Sequence, residues 1–446
     1  MKEFFRSTHP EVWVILAIAV LTRFLFIFNP AIVVTDEYHF SGFTQDYLKG
    51  RYSFDIHPPL GKLIISGAAS VIGIPTDGKI EVGKAYPSDK FLALRIVPAF
   101  FGVMVVLLLW SLVFELSGSR LASFLGGFFI AFDNSAIVQS KLILLDSMLW
   151  FFILLSFWLF VKSFKSEKYK KELLVFSLIA AGMAGSVKWT GWSALLMIIW
   201  IHPLAQKLFN SNVKLTSQPK GFNWFSLVSI PLAVYFLIFT IYFGIVKTDE
   251  GNRWFSLNYV AAAGSPIYTD IEFLNSPRSN TIIGRFLETN FYMFGGNIGS
   301  AVHPSASPFW LWPLGQKPFP YHFDNNQNLV VFDANLGVWW IVLLSVFVSS
   351  FLLVLKSDFR KSNYGKLSLI FTIGWLINWA PFAAISRPMF LYHYIPALLF
   401  GIMLSAILIK YFFDKYQNRR FFILAICIGA VVVGFILKLP ITFVSI

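Results

Sequence analysis

Residues 91–115 read FLALRIVPAFFGVMVVLLLWSLVFE, an apolar stretch long enough to cross a bilayer as one helix, which takes about 20 residues. Only Arg95 and Glu115 interrupt it with charge, each near an end. Working outward, comparable runs occupy 12–28, 119–132, 146–161, 173–187, 189–206, 225–246, 336–355, 367–385, 388–410 and 421–443. The pattern predicts an all-α polytopic membrane protein with about eleven transmembrane helices. Some runs are short, so the division between neighbours such as 173–187 and 189–206 is set to within about one span. The first run lacks a small-residue cleavage site and leads into Asn29-Pro30, which reads as a first span rather than a removed signal peptide.

The composition points the same way. The 446 residues are 57% hydrophobic and 13% charged, against about 25% charged in soluble domains. No soluble core of this size absorbs so much apolar surface. The 50 Phe, 15 Trp and 16 Tyr suit a lipid-facing chain with aromatic belts at both interfaces. A net charge of +13 raises the question of nucleic acid. The basic residues, however, sit in short runs between apolar segments and form no patch interleaved with aromatics, so no nucleic-acid partner is expected. The single cysteine, Cys427, lies within an apolar run and leaves no intrachain disulfide. With no fixed-period repeat and no soluble stretch at either end, 1–446 reads as one membrane-embedded domain.

Orientation follows from Lys and Arg. With the N-terminus inside, 19 of the 36 basic residues fall in the inward segments: Lys2, Arg6, Arg120, and the groups within 162–171, 207–220, 356–366 and 410–420. That is the positive-inside pattern. Two long outer connections remain, 29–90 and 247–335. Loops of that length with little obvious secondary structure are usually functional or disordered, and their aromatic content argues against disorder.

The polar residues of these loops are the candidates for chemistry. Thr35-Asp36-Glu37 follows the first span closely. Adjacent carboxylates ordinarily just solvate a loop, but at the membrane surface a charge without a role is costly. In Phe54-Asp55-Ile56-His57-Pro58-Pro59-Leu60-Gly61-Lys62, two prolines remove backbone donors and stiffen a segment that presents Asp55 and His57; a plain Pro-rich turn is the alternative. Arg23 and Arg95 each lie about a turn inside a span. Snorkelling accounts for Arg23, whereas the helix of Arg95 directly follows the acidic loop. Lys188-Trp189 reads as an interface anchor or a phosphate contact, and Asp146 as a helix N-cap.

The second outer loop carries Gly295-Gly296-Asn297-Ile298-Gly299 and then His303 through Trp310-Leu311-Trp312-Pro313-Leu314. Its glycines allow close backbone approach, and its aromatics stack on a sugar or lie in the headgroup layer. Between the ninth and tenth runs, Ser386-Arg387-Pro388-Met389-Phe390-Leu391-Tyr392-His393-Tyr394-Ile395-Pro396 places a guanidinium suited to bidentate phosphate binding. Asp36, Glu37, Asp55, His57, Arg95, Lys188, His303, Arg387 and His393 thus all fall on the outer side. Five of the seven histidines do so, leaving His9 and His202 inside. Carboxylates facing arginines at a membrane surface suggest group transfer from a lipid phosphate to a hydroxyl.

At these residues the sequence resembles the protein O-mannosyltransferases, which use dolichyl- or polyprenyl-phosphate mannose. The resemblance lies in Asp36-Glu37, Asp55-x-His57-Pro58-Pro59-Leu60-x-Lys62, Arg95, Lys188-Trp189, His303 through Trp312-Pro313-Leu314, and Arg387 with Phe390 through Pro396, in the family's order over nearly the whole chain. His-Pro-Pro-Leu is shared with related lipid-linked sugar transferases; the last two blocks are more specific. The resemblance implies the membrane-embedded C-type glycosyltransferase fold with two long outer loops, polyprenyl-phosphate mannose as donor and a Ser or Thr hydroxyl of an exported polypeptide as acceptor. It departs from eukaryotic members in one respect: 247–335 is too short for a β-trefoil MIR domain. That implies a prokaryotic-type enzyme of the plasma membrane with its active face outside.

The resemblance implies Asp36 as general base, with Glu37 orienting acceptor or sugar. Asp55 and His57 shape the site, Lys188, His303 and His393 contribute to substrate binding, and Arg387 and Arg95 stabilise the departing phosphate or position the acidic loop. An ordinary carboxylate, with a pKa of about 4, is ionised at neutral pH. Glu37 and His57 offer a divalent cation two ligands, too few to define a site, and no other cofactor is implied. A relative that glycosylates a lipid or cell-wall glycan shares every motif. A transporter instead calls for charges within span interiors and paired interrupted helices, and neither is evident.

Overall fold

The computed structural model describes residues 10–166, 168–203, 224–247, 279–298, 303–322 and 330–443. His9, Gly299 and the basic residues Lys2, Arg6, Lys207, Lys214 and Lys220 lie outside the described residues, as do positions 248–278 of the second long connection.

Every apolar run forms helix. In chain order the helices are α1 (Pro10–Phe24), α2 (Thr35–Leu48), α3 (Leu60–Ile72), α4 (Lys90–Ser117), α5 (Arg120–Ala131), α6 (Asn134–Lys141), α7 (Asp146–Lys165), α8 (Lys170–Val187), α9 (Trp189–Ile201), α10 (Trp224–Ile245), α11 (Ile282–Asn297), α12 (Leu336–Leu355), α13 (Asn363–Ala384), α14 (Leu391–Lys415) and α15 (Gln417–Leu437). Among the described residues seven are long and apolar enough to cross a membrane, namely α4, α7, α10 and α12 to α15, or eight if the bent pair α5–α6 forms one span. Length and apolarity therefore do not establish the expected eleven. Within the described residues α1 has 15 residues, α8 begins with Lys170, Lys171 and Glu172, and α9 is a short helix.

The centre of the bundle is α14, 83% of whose apolar window is buried, while α15 at the rim is 11% buried. Close helix approach depends on small side chains. At Gly182 on α8 a Cβ would lie 2.7 Å from the Pro231 carbonyl oxygen on α10, so any larger residue would push the helices apart.

Neither long connection lacks secondary structure. The first folds into α2 and α3, and Val33 exchanges backbone hydrogen bonds with Gly83 and Lys84, both 2.9 Å. The second contributes α11 and an antiparallel hairpin of β1 (Phe319–His322) and β2 (Val330–Phe332). α2 escapes the hydropathy pattern because it is polar yet inward-facing. It buries Glu37, Ser41, Thr44, Gln45 and Asp46 beside Phe40, Phe43 and Tyr47.

A helix break is tied down by polar side chains. α5 ends at Ala131 and α6 begins at Asn134, bent by 59°. Asp133 caps α6 by accepting from the Ala136 amide at 2.9 Å and also accepts from Trp339 Nε1 at 2.9 Å on α12. Asn335 caps α12 by accepting from the Gly337 amide at 3.0 Å and donates to the Phe132 carbonyl at 2.8 Å. Arg23 completes the joint, donating to the carbonyls of Ile130 (2.9 Å) and Ala131 (3.2 Å). It is 1% exposed, so it does not snorkel to headgroups. Its guanidinium satisfies carbonyls that the end of a helix leaves without intrahelical donors.

Candidate active site

The acidic pair sits in the first turn of α2, where backbone amides favour negative charge. Its two members have different surroundings. Glu37 is fully buried and meets Arg95 side-on, accepting from Nε and Nη2 at 2.7 Å each. It also accepts from the Ile143 amide at 2.9 Å and the Tyr86 hydroxyl at 3.1 Å. Arg95 spends its remaining donors on the carbonyls of Ile27, Pro30 and Ile32. Of the two roles implied for Arg95, the geometry is that of holding the acidic loop. Both oxygens of Glu37 are engaged by donors, which leaves no lone-pair direction free for a cation shared with His57. Among the described residues no three His, Cys, Asp or Glu side chains converge to hold a metal.

Asp36 is half-buried. Burial pushes its carboxyl up to about 6, Lys188 pulls it down and Asp146 pushes it up. Those two neighbours are themselves an ion pair: the Lys188 ammonium donates to both oxygens of Asp146 at 2.8 Å. Lys188 is buried, and Trp189 Nε1 donates to the Tyr235 hydroxyl at 2.9 Å, so this dipeptide is not an interface anchor. Asp146 is the first residue of α7 and not its N-cap, which is Leu145. Gln139 Nε2 donates to Asp146 at 2.9 Å, and the Tyr321 hydroxyl donates to Gln139 Oε1 at 2.6 Å.

Lys188 also lines a cavity of about 400 Å³ together with His57, Arg387 and His393. Leu196, Phe294, Ile377, Pro381 and Ile385 make its apolar wall. Burial and the nearby Lys188 and Arg387 charges hold the His57 imidazole well below its usual range, which keeps it neutral. Its loop is pinned from α3. The buried Lys62 ammonium donates to Asp55 at 2.5 Å and to the His57 carbonyl at 2.6 Å. This is the physical content of the Asp55-x-His57 to Lys62 spacing. Asn297 at the end of α11 reaches the same loop, donating to the Ile56 carbonyl at 3.4 Å.

The two later sequence blocks pack against each other beside the cavity. The Trp312 ring is fully buried and lies parallel to His393, with centroids 6.0 Å apart; Tyr392 stacks on the other neighbour position at 4.6 Å. Trp312 Nε1 donates to Ser307 at 2.8 Å. Trp312 is thus a support for a cavity residue rather than part of a headgroup belt. His303 lies apart: exposed, it accepts from the Ser305 amide at 3.1 Å and packs edge-on against Phe390. The structure therefore groups His57, Lys188, Arg387 and His393 around the cavity, sets Asp36 near the Lys188–Asp146 pair, joins Asp55 to the His57 loop through Lys62, pairs Glu37 with Arg95 in the turn that carries Asp36, and leaves His303 exposed.

A sequence model described as dolichyl-phosphate-mannose-protein mannosyltransferase matches residues 13–246, and one described as the C-terminal four-transmembrane region of protein O-mannosyltransferase matches 282–445. The chain belongs to the protein O-mannosyltransferase family. Dolichyl-phosphate-mannose–protein mannosyltransferase 1 of Saccharomyces cerevisiae is 34% identical over 244 residues, 51% of this chain and 29% of that protein. Protein O-mannosyltransferase 1 of Drosophila melanogaster is 32% identical over 244 residues, 52% of this chain and 27% of that protein. The chain spans less than half the length of the curated relatives it matches.

Among solved structures, the S. cerevisiae Pmt1–Pmt2 complex bound to the sugar donor superposes with a TM-score of 0.82 at 18% identity, covering 98% of this chain and 90% of that one. An oligosaccharyltransferase of Archaeoglobus fulgidus superposes at 0.56 and 14% identity, covering 97% and 55%. The fold found here is the multi-pass membrane fold of that solved family member.

Gln139 and Tyr321 lie outside the candidates that the sequence offers, and Tyr392 enters only as part of the block that ends at Pro396. Gln139 carries the one visible signal, a place in the polar segment 133–141 between two apolar runs.

Proposed function

We propose that this chain is an inverting glycosyltransferase that moves mannose from polyprenyl (dolichyl) phosphate to Ser or Thr hydroxyls of exported proteins. The observation that carries this reading is the Asp36 carboxyl, raised by burial, beside a Lys188–Asp146 pair whose lysine lines the cavity that also receives Arg387. The acceptor oxygen attacks the anomeric carbon opposite the phosphate, the new C–O bond forms as the bond to the phosphate oxygen breaks, and configuration inverts. The hydroxyl proton passes to Asp36. An alcohol is a poor nucleophile until a base takes that proton, and a base whose pKa lies near the working pH is well matched to the task.

The lipid phosphate departs with its charge facing Arg387 and Lys188, electrostatic help that is strongest in an enclosed apolar site. Neutral His57 and His393 offer hydrogen bonds to the sugar or phosphate without adding charge. Glu37, with Arg95, positions the helix turn that carries Asp36. The family relation supports mannose as the sugar and a polypeptide as acceptor. The Lys and Arg distribution supports this face lying outside, and a second long connection too short for a MIR domain supports a plasma-membrane enzyme.

Mass spectrometry of exported proteins with and without this gene product tests sugar and acceptor together: loss of hexose from Ser and Thr is expected, and an unchanged profile would sink the reading. Orientation is tested by engineered cysteines. Those in 29–90 are expected to react with an impermeant reagent in intact cells and those in 162–172 to stay protected; the reverse labelling would overturn it.

A further inference from the structure

We infer that Tyr321 is a positioning residue through which the hairpin of the second outer loop sets both the base and the cation of the site. Three observations converge on one side chain. Tyr321 lies on β1 and is fully buried. Its carbonyl accepts from the Thr35 hydroxyl at 2.6 Å, and Thr35 is the residue immediately before Asp36. Its own hydroxyl donates to Gln139 Oε1 at 2.6 Å, Gln139 Nε2 donates to Asp146 at 2.9 Å, and Asp146 receives the Lys188 ammonium at 2.8 Å.

The direction of each bond matters. An amide presents an acceptor at one end and donors at the other. With the Tyr321 hydroxyl on the oxygen, the Gln139 amide is held with its NH2 toward Asp146. Asp146 is thereby fixed from two sides, by Gln139 and by Lys188, and the ammonium is aimed at the cavity. Without that hydroxyl the Gln139 oxygen keeps no other donor among the described residues, and the amide is held only at its nitrogen end, by Asp146. The same residue's backbone holds the start of α2, so a single strand position registers the base against the phosphate-facing cation. Nothing in this chain of bonds requires Tyr321 to touch substrate. The ring is kept in place independently, against Phe319 at 4.9 Å, so the hydroxyl can be removed without emptying the site.

This inference rests on the polyprenyl-phosphate reading above, and its test is a double-mutant cycle that does not depend on the identity of sugar or acceptor. Tyr321→Phe, Gln139→Leu and the double variant are purified in detergent, and binding of polyprenyl phosphate, the expected product, is measured alongside transfer. Tyr321→Phe is expected to weaken binding by roughly 2- to 10-fold, the scale of one neutral hydrogen bond, with a comparable fall in transfer. If the hydroxyl acts through Gln139, the double variant loses no more than Gln139→Leu alone. A merely structural tyrosine would instead give losses that multiply, and that result, or wild-type binding by Tyr321→Phe, overturns the inference. A wild-type protein that fails to bind polyprenyl phosphate overturns the proposed function and this inference with it, whereas normal wild-type binding with independent losses overturns this inference alone.

Discussion

The guanidinium of Arg95 and the carboxylate of Glu37 form a two-pronged pair, 2.7 Å at each prong, with neither residue exposed. Removing one partner strands the other in a dry interior, which typically costs about 3 to 5 kcal/mol. Arg95→Ala is therefore expected to reduce the folded fraction and the unfolding temperature in detergent, with activity lost in proportion. Arg95→Lys restores charge but not the fork, and intermediate stability is expected. A fully stable, inactive Arg95→Ala protein would show instead that Arg95 acts in the chemistry.

Asp36→Asn separates chemistry from folding. Asparagine keeps the side-chain shape but does not accept a proton at neutral pH. Normal insertion and donor binding are expected, with transfer to a Ser or Thr peptide lowered by roughly 10² or more. Near-wild-type transfer would remove Asp36 from the mechanism.

The pH profile follows from the same carboxyl. Because burial raises Asp36 to about 6, the basic form is present above that pH and is lost as pH falls through it. Transfer should rise with pH through a midpoint near 6 and level off above it. Lys188 lowers this value and Asp146 raises it, so Lys188→Met should move the acid limb to higher pH as well as slow the reaction. A limb left unmoved in that variant would separate Asp36 from Lys188.

Arg387 and Arg23 should fail in different ways. Arg387→Ala is expected to fold normally and lose about 10² to 10³ in rate, the usual loss for a transition-state charge contact of ~2 to 4 kcal/mol. Arg23→Ala leaves the carbonyls of Ile130 and Ala131 without their side-chain donor, so reduced folded yield is expected instead. Specific activity per folded molecule, measured on both variants, distinguishes the two.

Local pattern revealed a good deal. All eleven apolar runs contain helix among the described residues, because inside a bilayer the backbone must bond within its own segment whether a helix faces lipid or the bundle. That His57, Lys188, Arg387 and His393 line one cavity agrees with counting which loops share a side. Arg23 and Arg95 show where that reading stops. Each lies about a turn inside a span, and only the fold supplies the carbonyls, 107 and 108 positions away for Arg23, that make it internal. Tyr321 and Gln139 were invisible for the same reason, since their hydrogen bond joins positions 182 apart. α2 was missed because its buried face is polar, and hydropathy registers only apolar burial.

The break between α5 and α6 has a consequence for how this chain tolerates change in length. A helix turns about 100° per residue. One residue inserted at 132–133 would rotate Gln139 by that amount, away from both Tyr321 and Asp146, while moving the Asp133 cap out of reach of Trp339. A deletion would do the same with opposite hand. Surface connections such as the turn after Ser117 have no such phase to keep. Natural variation and engineered grafts should accordingly show strict spacing from Ala131 to Gln139, a ruler set by the angle between two helices and not by the identity of the residues in between.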